Sequence, residues 1–373
     1  MACHVPISFF PPPSSFSPVP AQCHPPFANR YSTIATLSPS PLRPAPCTSE
    51  LDYTEQYRWS AWAAPKGKDG KIDHNAALTC DDLIAFVNGK LSPYLRRFKA
   101  KAIERGVNYF DVAPAYGKGT CETKLGIALQ GLDRSRYFLA CKTKKLDRDG
   151  ARSELENSLR QLRTDHFDVY QLHHLVKPAD VQAALGPGGV LEMLLQAKAE
   201  GKIRAIGFSA HTTKAALAAL RGYAFDTVMF PINYVEYYTR GFGKEVLALA
   251  KEKQAAVLSI KTLNAGAWPK DAERTRKWWY RSLETQDDIN LAYRWTLALP
   301  GVVMGFPPSW RDLQSKAITA GLAYRPATEA DAAQLQEMAK DCGSIFKREE
   351  DSVASLNLPY PHHPQDCCEG LWA

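Results

Sequence analysis

Residues 106–117 read GVNYFDVAPAYG, and the reading of this stretch decides the fold. Its first half is short and apolar, as a buried strand over residues 107–110 requires. Asp111 stands at the strand's end, and Tyr116 follows five residues on, in the next loop. A polar side chain delivered at the C-terminal end of a buried strand is the working unit of an α/β fold.

Outward from this unit the same pattern recurs. Strand-like runs lie at residues 137–140, 167–172, 203–208, 227–232, 257–260 and 302–304. Several are apolar at consecutive positions, as parallel strands covered on both faces are. Helical stripes intervene: Leu155, Leu159 and Leu162; Leu191, Leu194 and Leu195; then Ile289, Ala292, Tyr293, Thr296 and Leu297. Gly201 follows the second stripe at a helix C-cap position. Seven strands spaced by roughly 25 to 45 residues match the unit of a (β/α)8 TIM barrel, with a doubly wound sheet as the rival. The polar residues choose between them. Asp111, Lys142, His173, Ser209, Asn233 and Lys261 each fall at a strand's C-terminal end, where a barrel converges its side chains on one mouth. The eighth strand should precede a helix over residues 93–105. Residues 83–87, apolar throughout, are favoured for it over the aromatic but interrupted residues 57–62.

Composition cuts the rest of the 373 residues. Residues 1–50 hold 12 of the 26 prolines, eight serines, no glycine and a single acidic residue, Glu50. They show no helical or strand period and are read as disordered, either a flexible tail, an upstream extension wrongly joined to the chain, or an organelle transit peptide. Residues 51–91 are left undecided, 92–325 are read as the barrel, and 326–373 as a C-terminal helix and tail. The net charge of +7 is spread without a Lys/Arg block, which argues against nucleic acid. No apolar run reaches bilayer length, which argues against a membrane role. Nine cysteines without CxxC spacing argue against a disulfide framework or a zinc site and for a reducing compartment, the cytoplasm by default.

The order of polar residues resembles the aldo-keto reductase superfamily. The family pattern of strand, Asp, small residue, Ala, two residues and Tyr-Gly is matched by Asp111, Val112, Ala113, Pro114, Ala115, Tyr116 and Gly117. FLACKTKK then supplies Lys142, and DVYQLHH supplies His173. Alternation along a strand leaves one histidine of the pair facing the mouth. The motif picks His173, with His174 in the loop. The resemblance implies Tyr116 as general acid, Lys142 and Asp111 tuning it, and His173 orienting a substrate carbonyl, with hydride supplied by a nicotinamide. The chemistry agrees, because a phenol is a weak acid at neutral pH unless a cation favours its phenolate.

The resemblance also implies cofactor contacts. Ser209 and Asn233 take the places of the nicotinamide carboxamide ligands, although Ala210 stands where many members have Asn; His211 either compensates or is an ordinary loop residue. VLSIKTLNAGAW is similar to the branch with a Lys-Pro-Leu-Gly-Gly type motif, with Lys261 and Leu263 matching and Thr262 replacing proline. Gly266 suits a tight loop beside a pyrophosphate. Ser309 at an expected helix N-cap, Arg311 and Lys316 suit an adenosine 2′-phosphate, favouring NADPH with NADH as the alternative. Only Cys342, Cys367 and Cys368 stand where some members of that branch hold four cluster cysteines, so no iron-sulfur cluster is expected. The aromatic insertion at residues 268–288 either lids the mouth over a planar or apolar carbonyl or packs on the rim. The expected activity is NADPH-dependent reduction of a small aldehyde or ketone, and the alternative is a noncatalytic nicotinamide-binding sensor or partner subunit. A metal-dependent hydrolase using Asp111, His173 or His174, and His211 would leave Tyr116 and Lys142 unexplained.

Overall fold

The computed structural model describes residues 7–8, 102–276 and 278–356, except the side chains of Ile7, Ser8, Lys118 and Arg311. Both candidates for the first strand, most of the helix expected from residue 93, and Cys367 and Cys368 lie outside the described residues.

All seven expected runs are strands. They are β1 (Tyr109–Asp111), β2 (Phe138–Thr143), β3 (Phe167–Leu175), β4 (Ile203–Ala210), β5 (Thr227–Pro231) and β6 (Ala256–Ile260), then, after a hairpin of β7 (Asn264–Ala267) and β8 (Tyr280–Ser282), β9 (Val302–Gly305). The barrel strands pair in parallel in the order β1-β2-β3-β4-β5-β6-β9, each with its chain neighbour. That order without reversal is a barrel's and not a doubly wound sheet's, which needs a switch point. Along the other edge of β1, Ile7–Ser8 pairs antiparallel with Phe110 and Tyr109.

The sheet curves so that side chains of β1 and of the residue after β9 touch across its inner face. The Tyr109 ring of β1 lies 5.8 Å from Phe306, the residue after β9, edge to face. These two join Ala140, Val169, Met229, Leu258 and Met304 in one interior cluster. The residue after or before each interior position faces the other way. Phe110, Cys141, Tyr170, Val228 and Val257 belong to the larger core between the sheet and the surrounding helices. Period-two alternation thus sorts each strand into an inner and an outer face.

The helices are α1 (Thr120–Leu129), α2 (Arg148–Leu162), α3 (Pro178–Leu185), α4 (Val190–Ala199), α5 (Thr213–Gly222), α6 (Tyr234–Arg240), α7 (Lys244–Glu252), α8 (Gln286–Ala298), α9 (Arg311–Leu322), α10 (Glu329–Ala339) and α11 (Lys347–Val353). In α2 the expected stripe is buried, and Asp147 caps the first turn by accepting from Gly150 N at 2.7 Å. In α4 the stripe is corrected. Leu195 is 46% exposed, and the buried face is Val190, Met193, Leu194 and Ala197. Those positions follow i, i+3, i+4 and i+7, and Val190 and Met193 shift the apolar stripe away from Leu195. Gly201, with φ +76, lies two residues past the last helical residue, as its C-cap reading requires. Among the described residues no helix is long and apolar enough to cross a membrane.

Candidate active site

Asp111 ends β1, Lys142 is the penultimate residue of β2, and His173 lies near the end of β3. Tyr116 opens a 3-10 turn, Tyr116–Gly119, just beyond β1. Consecutive neighbours in the sheet therefore bring together groups that are 31 to 62 residues apart in sequence.

Lys142 is fully buried, and its Nζ pairs with Asp111 Oδ2 and donates to the Val112 carbonyl at 3.2 Å. The second carboxylate oxygen of Asp111 accepts from Gln171 Nε2 at 3.2 Å. The Lys142 ammonium also lies 4.9 Å from the centre of the Tyr116 ring, which stands edge to face with His173 at 5.6 Å. The four residues expected to act together are thus in one contact network. Sequence reading missed Gln171. Its signal was available, since it lies two residues before His173 and so shares its face of β3.

Electrostatics divide the roles. Burial alone would lower the Lys142 pKa, but Asp111 and Tyr116 raise it above its ordinary value, so the ammonium persists. Burial raises the Asp111 carboxyl, while Lys142 and Gln171 pull it back. Burial likewise raises the Tyr116 phenol, with Lys142 opposing, so Tyr116 holds its proton at neutral pH. His173 is pushed down to about 2 by burial, then by Lys142 and Lys144, and is therefore neutral. Its Nδ1 is buried without a hydrogen-bond partner.

The candidate cofactor residues occupy the next strand ends. Ser209, in β4, accepts from the His174 backbone N–H at 2.8 Å, which leaves its own hydroxyl hydrogen to donate. Asn233 is fully buried beyond β5, and its Oδ1 accepts from Glu236 N and from Asn264 Nδ2, both at 3.1 Å. Its Nδ2 has no partner. The unpartnered Asn233 amide, together with the Ser209 hydroxyl, offers buried donors of the kind a carboxamide oxygen accepts from. Asn264, unremarked in the sequence, is what fixes the orientation of Asn233.

Lys261 follows β6 with φ +60, its Nζ 5.9 Å from the Trp279 ring. Burial lowers its pKa to about 8, with Glu349 opposing and Lys142 adding to the shift. Leu263 is fully buried in the cluster formed with α8 and α9. Gly266 has φ +93, and a Cβ there would stand 3.0 Å from Cys342 Cβ, so its missing side chain admits the C-terminal segment. Helix α9 begins at Arg311 with Trp310 as N-cap and no side-chain cap, which moves the expected Ser309 cap one residue on. Ser309 remains in the loop before α9, Arg311 is its first residue, and Lys316 Nζ donates to the Glu284 carbonyl. The structure thus gathers Asp111, Tyr116, Lys142 and His173 with Gln171, and sets Ser309, Arg311 and Lys316 apart on α9 and its approach.

The aromatic insertion folds back on itself. Trp268 Nε1 donates to the Trp278 carbonyl at 2.9 Å, while Trp279 is 48% exposed and meets Phe346 at 6.1 Å.

Comparison with known proteins bears on these features. The family model described as Aldo/keto reductase family matches residues 92–356. The aldo-keto reductase YhdN of Bacillus subtilis (strain 168) is 33% identical over 177 residues, covering 44% of this chain and 50% of that protein. The methylglyoxal reductase DkgB of Escherichia coli O157:H7 is 29% identical over 172 residues, covering 46% of this chain and 62% of that protein. Against these relatives the chain spans only about half to three-fifths of their length. The fold matches an aldo-keto reductase from Bacillus halodurans in its holo form, with TM-score 0.53 and 22% identity, over 69% of this chain and 91% of that one. It also matches an aldo-keto reductase from Klebsiella pneumoniae solved with NADPH, with TM-score 0.52 and 23% identity, over 67% of this chain and 86% of that one.

Proposed function

Because the chain belongs to the aldo/keto reductase family, we propose that it reduces an aldehyde or ketone to the alcohol with NADPH. The observation that carries this reading is the single network of Asp111, Lys142, Tyr116 and His173 at the barrel mouth.

A reduced nicotinamide, when bound, supplies the hydride that no side chain can donate. Ser209 and the free amide of Asn233 would hold its carboxamide, and Lys261 its phosphates. The donor set supports this, since both amide and hydroxyl are poised to give hydrogen bonds. Ser309 and Arg311 at the start of α9 are the candidates for a 2′-phosphate, and hence for NADPH over NADH.

Tyr116 keeps its proton until the carbonyl oxygen gains charge, then gives it up. Lys142 stabilises the phenolate left behind, and Asp111 with Gln171 keeps Lys142 charged and aimed. Neutral His173 can donate one ring N–H to the carbonyl oxygen and so fix its position beside the phenol. Positioned acids of this kind contribute about 10²–10⁴-fold.

Tyr116→Phe keeps the ring and removes the proton. It is expected to cut turnover by about 10²–10⁴-fold while leaving NADPH affinity, measured by fluorescence titration, nearly unchanged. Full activity in that variant would sink the assignment of the acid. NADPH binding by the unaltered protein without reduction of any member of a carbonyl panel would favour the noncatalytic sensor instead.

A further inference from the structure

The stretch that follows α10 meets two candidate cofactor contacts from behind. The Gly343 carbonyl accepts from the Ala267 backbone N–H at 2.8 Å, beside Gly266, whose missing side chain makes room for Cys342. Further along, the Ser344 hydroxyl and the Ile345 backbone N–H donate to the two carboxylate oxygens of Glu236, at 2.7 and 2.6 Å. Glu236 lies in the first turn of α6, and its own N–H is the one that Asn233 Oδ1 accepts at 3.1 Å.

These bonds close into a ring. Asn233 Oδ1 also accepts from Asn264 Nδ2 at 3.1 Å, and Asn264 Oδ1 accepts from the Gly266 N–H at 2.9 Å. From Gly266 the backbone leads to Ala267, across to Gly343, along to Ile345 and through Glu236 back to Asn233. The arm formed by Gly343, Ser344 and Ile345 comes from beyond the last barrel helix, α9, and Phe346 pins its far end by stacking on Phe242 at 5.4 Å.

Glu236 makes the arm more than a surface contact. Its carboxylate is fully buried, and Arg240, one turn on in α6, forms its ion pair with Asp351 instead, at 3.6 Å. Burial raises the Glu236 carboxyl above its ordinary value, and the Ser344 and Ile345 donors are the first to oppose this. A buried carboxylate without a counter-ion is costly unless its lone pairs are filled. Loss of the arm would leave Glu236 unsatisfied and disturb the turn that fixes Asn233, whose Nδ2 is the unpartnered donor of the ring.

We propose that Gly343, Ser344 and Ile345 brace the cofactor site, keeping the free Asn233 amide and the Gly266 turn in register for one nicotinamide dinucleotide. Glu236 and Ser344 are then positioning residues that act through Asn233. The proposal deepens the carboxamide reading of Asn233 and rests on it. Since one ring joins both sites, cofactor binding and docking of the arm favour each other equally.

The test uses the full-length chain and NADPH. Ser344→Ala removes one donor from the arm and leaves the barrel strands untouched. It is expected to weaken NADPH binding at least about fivefold in fluorescence titration and to raise the KM for NADPH, with kcat at saturating NADPH little changed. Ser344→Thr, which keeps the hydroxyl, should restore the affinity. In the unaltered protein, hydrogen exchange of the Ile345 amide should slow when NADPH is added. Unchanged affinity in Ser344→Ala, or Ile345 exchange indifferent to NADPH, would overturn the brace. If the unaltered protein binds no NADPH, the cofactor reading fails, and a double-mutant cycle of Asn233→Ala with Ser344→Ala in urea unfolding still decides the ring. Non-additive losses uphold the coupling, and additive losses overturn it.

Discussion

At the scale of single residues, the buried pair Asp111 and Lys142 carries both stability and chemistry. Removing one member of a buried ion pair strands the other charge, at a cost of about 3–5 kcal/mol, whereas replacing both with apolar groups is often neutral. Asp111→Ala is therefore expected to lower unfolding free energy by about 3–5 kcal/mol in urea titration. Asp111→Ala combined with Lys142→Met should recover most of that loss and still be inactive. Recovery of stability without recovery of activity would separate folding from catalysis at this site. The same scale shows what a sequence can display. Asp111, Tyr116, Lys142 and His173 were legible because motif and strand end coincide. Gln171 was legible only as a residue on the face of His173, and Asn264 not at all, because the role of each lies in which oxygen it meets from a distant part of the chain.

At the scale of elements, close approach decides the sign of a substitution. Gly126 sits inside α1, where alanine would normally help by up to about 1 kcal/mol. Here a Cβ would stand 2.5 Å from the Gln161 carbonyl and 2.8 Å from Leu162 Cα of α2. Gly126→Ala is expected to destabilise by about 1–3 kcal/mol instead, read as a lowered urea midpoint with an unchanged slope. The seven barrel strands were legible from apolar runs, since burial on both faces leaves little choice of residue. The buried face of α4 was misplaced because leucine spacing was followed past the valine and methionine that share the work. The cap of α9 was misplaced because Ser309 makes a good cap by type, yet the helix starts beyond Trp310.

At the scale of the whole molecule, the mouth is a field assembled from many strands. Lys142, Lys144 and Lys261 together with burial keep His173 neutral, and burial brings Lys261 itself to about 8. A lysine with a lowered pKa is charged below that value and neutral above it. If Lys261 holds cofactor phosphate, NADPH affinity is therefore expected to fall as pH rises from 7 to 9, by up to about tenfold for one charge. Tyr116 is raised and His173 is far below this window, so neither changes charge in it. Lys261→Met should bind NADPH more weakly at pH 7 and lose the pH dependence, which equilibrium titration at each pH would show. The contacts of Phe346 with His211 and Trp279 could not be read from sequence. The C-terminal segment is held by contacts such as Glu350 with the Thr213 backbone N–H, 137 residues away.

The contacts that join the region of β1 to β9 and α9 have a consequence in time. Arg105 donates to Ser315 Oγ and Thr319 Oγ1 of α9, and Tyr109 packs on Phe306, so the closing contacts join residues some two hundred positions apart. A chain made from its N-terminus must hold β1 to β6 as an open, growing sheet until β9 and α9 arrive. Contacts of such long range are slow to form, and an unpaired parallel edge can recruit strands from other chains meanwhile. The arrival of β9 thus also covers the open edge of β6, removing one place where strands of other chains could pair.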